Sequence, residues 1–135
     1  MRFEELAGCL DADEARMKHP LVLAYIGDTV YDLIFRTRAV CSHSGSVNLL
    51  HREVCSMVNA RAQSEAVTLL EPMFTEEETE IFRRGRNAKS ATAPKNMSLQ
   101  DYRRATGLEA VVGYLYLTGK TDRLDILFDR ILGEQ

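Results

Sequence analysis

Two acidic residues stand where the surrounding side chains call for burial. Leu21 to Phe35 is an almost unbroken apolar run that carries Asp28 and, four residues on, Asp32. Ala105 to Leu117 is apolar nearly all the way round a helix, and Glu109 is the only acid in that helix after Asp101. Asp28 follows Gly27, and Glu109 comes two residues after Gly107. Glycine inside a helix costs about 1 kcal/mol relative to alanine, so its position beside each acid points to a close approach by another group. A carboxylate withdrawn from water is costly unless a cation or hydrogen-bond donors neutralise it. Two arrangements remain open. Each acid caps a neighbouring helix or pairs with an arginine such as Arg36 or Arg104, or facing helices bring both acids onto one divalent cation. Hard oxygen ligands suit Mg²⁺, which keeps part of its water and activates it.

The elements that must position these acids are helices. Three prolines and eight glycines in 135 residues are few breakers, and no segment shows sustained strand alternation, so the fold class is all-α. Pro20 opens the first long helix. Its deeper face is expected to carry Val22, Leu23, Ile26, Val30, Leu33 and Ile34, with Asp28 and Asp32 on the other, flanked by Tyr25 and Phe35. Residues 41–45 read as a loop. Leu49, Leu50, Val54, Met57 and Val58 recur at helical spacing, and Asn59 caps a helix from Ala60 to Leu70 that Glu71-Pro72 stops. Thr75-x-x-Glu78 and Ser98-x-x-Asp101 are capping boxes. The first opens a helix that runs into Arg83–Asn87, residues 88–97 read as a loop, and the second opens a helix that Gly119 ends. A last amphipathic helix turns Leu124, Ile126, Leu127, Ile131 and Leu132 inward. The length fits one domain over 1–135, with its own core and no room for a second.

The formal charge of -3 argues at first against a nucleic-acid ligand. Its distribution reverses that inference. Seven of the 17 Lys and Arg, but only one of the 20 Asp and Glu, fall in residues 83–104, so this segment carries +6 and the remainder -9. Arg83, Arg84, Arg86, Asn87, Lys89 and Lys95 are the candidate phosphate contacts, spaced by small residues that let the backbone approach. No aromatic residue interleaves them up to Lys95, which disfavours base stacking on single strands and fits the phosphates and 2′-hydroxyls of a duplex.

Cys41-x-His43 with His51-x-x-x-Cys55 is a weak spacing match to a zinc site. Cys55 fits better as a core residue and His51 as a surface one. Three cysteines without a close pair suit a reducing compartment. The N-terminus carries acids where a signal peptide needs an apolar core, and no apolar run reaches bilayer length. A cytoplasmic protein without membrane contact is expected.

The same motifs carry a family resemblance. Leu23-Ala-Tyr-Ile-Gly-Asp-Thr-Val-Tyr-Asp32 resembles the Glu-Phe-Leu-Gly-Asp-Ala-Val motif of ribonuclease III catalytic domains. Gly107-Leu-Glu-Ala-Val-Val-Gly-Tyr-Leu-Tyr-Leu117 resembles that family's second acidic motif, Phe-Glu-Ala-Leu-Ile-Gly-Ala-Ile-Tyr. Arg83-Arg-Gly-Arg-Asn-Ala-Lys89, followed by Pro94-Lys-Asn96, resembles the bacterial Mini-III subgroup.

The resemblance implies an all-helical, homodimeric endonuclease domain that cuts double-stranded RNA with Mg²⁺, leaving 5′-phosphate and 3′-hydroxyl ends. It further implies a part in 23S ribosomal RNA maturation, without the double-stranded-RNA-binding domain of the full-length enzymes. Asp28 takes the place of the catalytic Asp and Glu109 that of the metal-binding Glu. The full-length enzymes have a Glu where this chain has Ala24 and an Asp where it has Thr106, so two carboxylates match rather than four. Asp32, one turn from Asp28, is by its spacing either an outer-shell group or a surface acid. A non-catalytic helical module that binds double-stranded RNA is the alternative that Ala24 and Thr106 would favour.

Overall fold

A computed structural model describes residues 1–42, 44–88 and 95–133, and among these every regular element is helical. After a 3-10 turn at Phe3–Glu5 come α1 (Ala12–Arg16), α2 (Pro20–Ser42), α3 (Val47–Val58) and α4 (Ala60–Leu70). A second 3-10 turn, Glu71–Met73, leads to α5 (Glu76–Asn87), α6 (Leu99–Leu117) and α7 (Thr121–Leu132). The starts follow from local capping. Asn59 Oδ1 accepts from the Ala62 N–H at 2.9 Å, and Thr75 Oγ1 accepts from the Glu78 N–H at 3.1 Å while Glu78 accepts in return. Ser46 and Ser98 cap α3 and α6 in the same way, satisfying N–H groups that the first helical turn leaves without partners. Gly119, at φ +73°, closes α6.

α6 is the central helix. Leu108, Ala110, Val111 and Tyr114 have no measurable exposure, because α2, α4 and α5 surround it. The contact with α2 is backbone-close. A Cβ built on Gly27 would lie 1.7 Å from the Glu109 carbonyl oxygen, and one on Gly113 would lie 1.9 Å from that of Leu23. The two helices therefore run antiparallel with backbone against backbone, which only glycine permits. Glycines also thin the opposite face of α6, where Gly85 meets Ala110 and Gly107 meets the Phe82 ring.

This crossing corrects the expected face of α2. The buried residues are Leu23, Ala24, Gly27, Val30, Tyr31, Phe35 and Ala39, whereas Val22 and Leu33 are exposed. The helix turns its small residues toward α6 because close approach there buries more of both helices than a ridge of larger side chains would. Phe35 accordingly points inward and stacks on Tyr31. α2 also runs on through Cys41 and Ser42, which were expected in a loop. In α3 only Val54 is buried. Cys55, one residue on, is turned outward and exposed rather than in the core. Ile126 is half exposed, while Leu124 and Leu127 pack inward.

Gly27→Ala should destabilise the fold by about 3 kcal/mol or more, the upper range for overpacking a rigid contact. Denaturant unfolding of the variant checks this. Wild-type stability would mean the helices can separate at no cost.

Candidate active site

The α2–α6 crossing places the two acids. Gly27 lies against the Glu109 backbone, so Asp28 and Glu109 emerge side by side on one cleft of about 570 Å³. Its walls include Tyr25 from α2, Asn59 and Gln63 from the start of α4, and Tyr102 and Thr106 from α6. Asp28 is exposed and Glu109 is half-buried.

Burial pushes the Glu109 carboxyl up to about 9, and Asp28 adds to the shift through hydrogen bonding and charge repulsion. The Gln63 side chain opposes the shift by hydrogen bonding to Glu109. Tyr31 is also raised well above its ordinary value, by burial first and by the Glu109 charge second. Its hydroxyl and Gln63 Oε1 are buried without a hydrogen-bond partner.

The arginines that might have neutralised these acids are engaged elsewhere. Arg36 pairs with Asp32 at 2.7 Å, which makes Asp32 a surface ion pair. Arg104 donates to the Ser64 hydroxyl and carbonyl and to the Thr68 hydroxyl, and pairs with Glu71. Among the described residues neither Asp28 nor Glu109 forms an ion pair. Two converging carboxylates with no cation of the chain's own, beside a buried amide oxygen that lacks a donor, fit a hard divalent cation with retained water. No cluster of three or more His, Cys, Asp or Glu side chains occurs among the described residues. The site therefore offers two carboxylates, and water or substrate oxygens must complete the shell. His51 and Cys55 do approach to 3.4 Å, on an exposed face of α3. His43, their expected partner, lies outside the described residues.

The basic residues are dispersed rather than gathered in one loop. Arg83, Arg84, Arg86 and Asn87 belong to α5. Arg84 donates to the carbonyls of Arg16 and Lys18, both at 3.1 Å, and so closes the C-terminal end of α1. Arg83 is exposed beside Glu80, while Arg86 lies over the Phe82 ring and donates to Asn87. Lys95 is exposed two residues before Met97, which lines the cleft. Lys89 lies outside the described residues.

Gln63 is the residue that sequence reasoning passed over. It sits on the inward stripe of α4 with Val67 and Leu70, and a polar side chain on that stripe was the available signal.

Comparison with known proteins matches residues 21–120 to the Ribonuclease III domain. The chain belongs to the ribonuclease III family. Within it, the chain is 48% identical to Mini-ribonuclease 3 of Thermoanaerobacter sp. (strain X514), with 92% of this chain and 87% of that protein aligned. It is 40% identical to Mini-ribonuclease 3 of Staphylococcus aureus (strain NCTC 8325 / PS 47), over 87% of this chain and 89% of that one. A crystal structure of a Fusobacterium nucleatum protein superposes with a TM-score of 0.81 at 28% identity, covering 87% of this chain and 94% of that one. As a ribonuclease III family member the chain is an endoribonuclease, which sets aside the non-catalytic alternative. At the two positions where full-length ribonuclease III enzymes carry further acids, Ala24 is buried, and the Thr106 hydroxyl donates to the Tyr102 carbonyl at 2.9 Å. Both residues line the cleft without adding charge to it.

In metal-free protein, folded Glu109 holds its proton to higher pH than unfolded Glu109 does. Stability should therefore fall as pH rises from the ordinary 4.5 to about 9. Chemical denaturation across this range in the presence of a chelator should show the fall in the wild type and its loss in Glu109→Gln. A flat wild-type profile would contradict the placement of the carboxyl.

Proposed function

We propose that the chain is a Mg²⁺-dependent endoribonuclease that cleaves double-stranded RNA, working as a homodimer in the cytoplasm on 23S ribosomal RNA precursors. The observation that carries this reading is the convergence of Asp28 and Glu109 on one open cleft, with Arg36 and Arg104 bonded elsewhere. Mg²⁺ held by these carboxylates would supply charge neutralisation at the scissile phosphate and a water acidic enough to attack it. The protein's own part is to fix both carboxylates on backbone that cannot shift, and to hold the duplex by its phosphates. Attack at phosphorus with departure of the 3′-oxygen leaves a 5′-phosphate on one fragment and a 3′-hydroxyl on the other.

Duplex grip falls to the basic segment that follows the acidic start of α5. Arg83, Arg86, Asn87, Lys89 and Lys95 serve that purpose in this reading. Arg84 acts as a brace between α5 and α1, because two of its donors already serve backbone carbonyls. The binding is electrostatic and should weaken steeply with added salt.

The α2 surface supports the dimer. Val22, Tyr25, Leu33 and Val40 are 50%, 82%, 54% and 66% exposed, and their spacing aligns them on one face of the helix. An apolar stripe of this kind on a soluble domain marks an interface. A two-fold contact through it would set two Asp28 side chains on either side of the axis, one for each RNA strand.

Asp28→Asn should reduce duplex-RNA cleavage in Mg²⁺ by at least about 10²-fold, the lower range for losing a group that stabilises transition-state charge. Undiminished cleavage would end the assignment. Leu33→Asp should convert the dimer to a folded monomer in sedimentation, with loss of paired cuts. A dimer that persists would move the interface to another face.

A further inference from the structure

Two carboxylates leave most of the coordination sphere of a divalent cation to water, and that hydration shell needs holding from outside. Ala24 offers nothing for this purpose, and the Thr106 hydroxyl is committed to a carbonyl. Gln63 differs. It is 2% exposed yet borders the cleft with Asp28 and Glu109. Asn59 caps α4 and sets Gln63 on the turn that faces α6. Its Nε2 donates to the Val58 carbonyl at 3.1 Å, one of the acceptors left open at the end of α3. The same side chain lies close enough to Glu109 to favour its ionised form. Its Oε1 is a buried acceptor with no donor. The Val58 carbonyl accounts for the Nε2 end of the amide, and a ligand that supplies the missing donor accounts for the Oε1 end.

We propose that Gln63 is a positioning residue of the cation site, holding the Glu109 carboxylate with its amide N–H and accepting a hydrogen bond at Oε1 from a water of the hydrated cation. The inference rests on the metal site proposed above. It explains how a site with half the acids of full-length ribonuclease III enzymes keeps a fixed geometry. Outer-sphere hydrogen bonds substitute for inner-sphere charge.

The test uses Mn²⁺ alone as the probe, without RNA, titrated calorimetrically into chelator-stripped protein, with melting temperature recorded without and with the ion. Gln63→Leu should weaken Mn²⁺ binding by about 10- to 100-fold, the usual cost of removing an outer-shell partner. Its cation-free melting temperature should stay near that of the wild type, since removal of an orphaned buried acceptor offsets the lost bond to the Val58 carbonyl. KM for duplex RNA should stay unchanged while the Mg²⁺ concentration giving half-maximal cleavage rises. Gln63→Glu, which adds a hard oxygen, should lower the cation-free melting temperature and bind Mn²⁺ more tightly than the wild type. A lower cation-free melting temperature in Gln63→Leu with unchanged Mn²⁺ affinity would overturn the proposal, leaving Gln63 as a tether between α3 and α4. Should the leucine variant not fold, unchanged Mn²⁺ affinity in Gln63→Glu overturns it equally. Asp28→Asn separates the two levels. If that variant binds Mn²⁺ like the wild type, the metal site itself fails. If it loses binding while Gln63→Leu does not, only the role of Gln63 fails.

Discussion

The contact between α2 and α6 governs the molecule. Gly27 against the Glu109 carbonyl and Gly113 against that of Leu23 bring two long helices to backbone contact. Interiors close-packed to this degree transmit small displacements rather than absorbing them. A methyl group at either position would force the helices apart and carry Asp28 away from Glu109. The glycines are unfavourable for each helix alone, and their presence is explained by the approach they permit. The arrangement puts the acids on the most rigid part of the fold, which is where a constellation of charges keeps its geometry best.

The closeness has an electrostatic cost. Two carboxylates share a partly dry cleft, and Glu109 takes up a proton that an exposed carboxyl would have released. Gln63 relieves this only in part, and no arginine among the described residues does so, because Arg36, Arg84, Arg104 and Arg123 are all spent on other tasks. Arg123, for instance, binds the buried Glu78 at 2.8 Å and the Met73 carbonyl, joining α7 to the start of α5. The cleft thus keeps two acids together with no ion pair to either among the described residues. Function, rather than stability, accounts for that choice.

Much of this was legible in the amino-acid order. Ser46, Asn59, Thr75 and Ser98 announce helix starts because a cap acts within three residues. Asp28 and Glu109 were conspicuous because a charge within an apolar helix demands a partner. The face of α2 was misjudged in part: Leu23 and Val30 turn inward as expected, but apolarity alone favoured Val22 and Leu33 while the glycine contact chose Ala24 and Tyr31. The destinations of the basic residues were also hidden. Arg84 reaches carbonyls 66 and 68 residues away, and Arg104 reaches Ser64, 40 residues away. Such pairings depend on which helices become neighbours. Gln63 went unremarked because a single polar residue on an apolar stripe acquires meaning only once the stripe is seen to end at Glu109.

In the proposed site one cation is held jointly by Asp28 and Glu109 across the glycine crossing. A double-mutant cycle in Mn²⁺ affinity with Asp28→Asn, Glu109→Gln and the pair tests it directly. Joint coordination predicts that either single change removes nearly as much affinity as both together. Losses that simply add, or affinity that neither change alters, would mean that the two carboxylates do not share an ion.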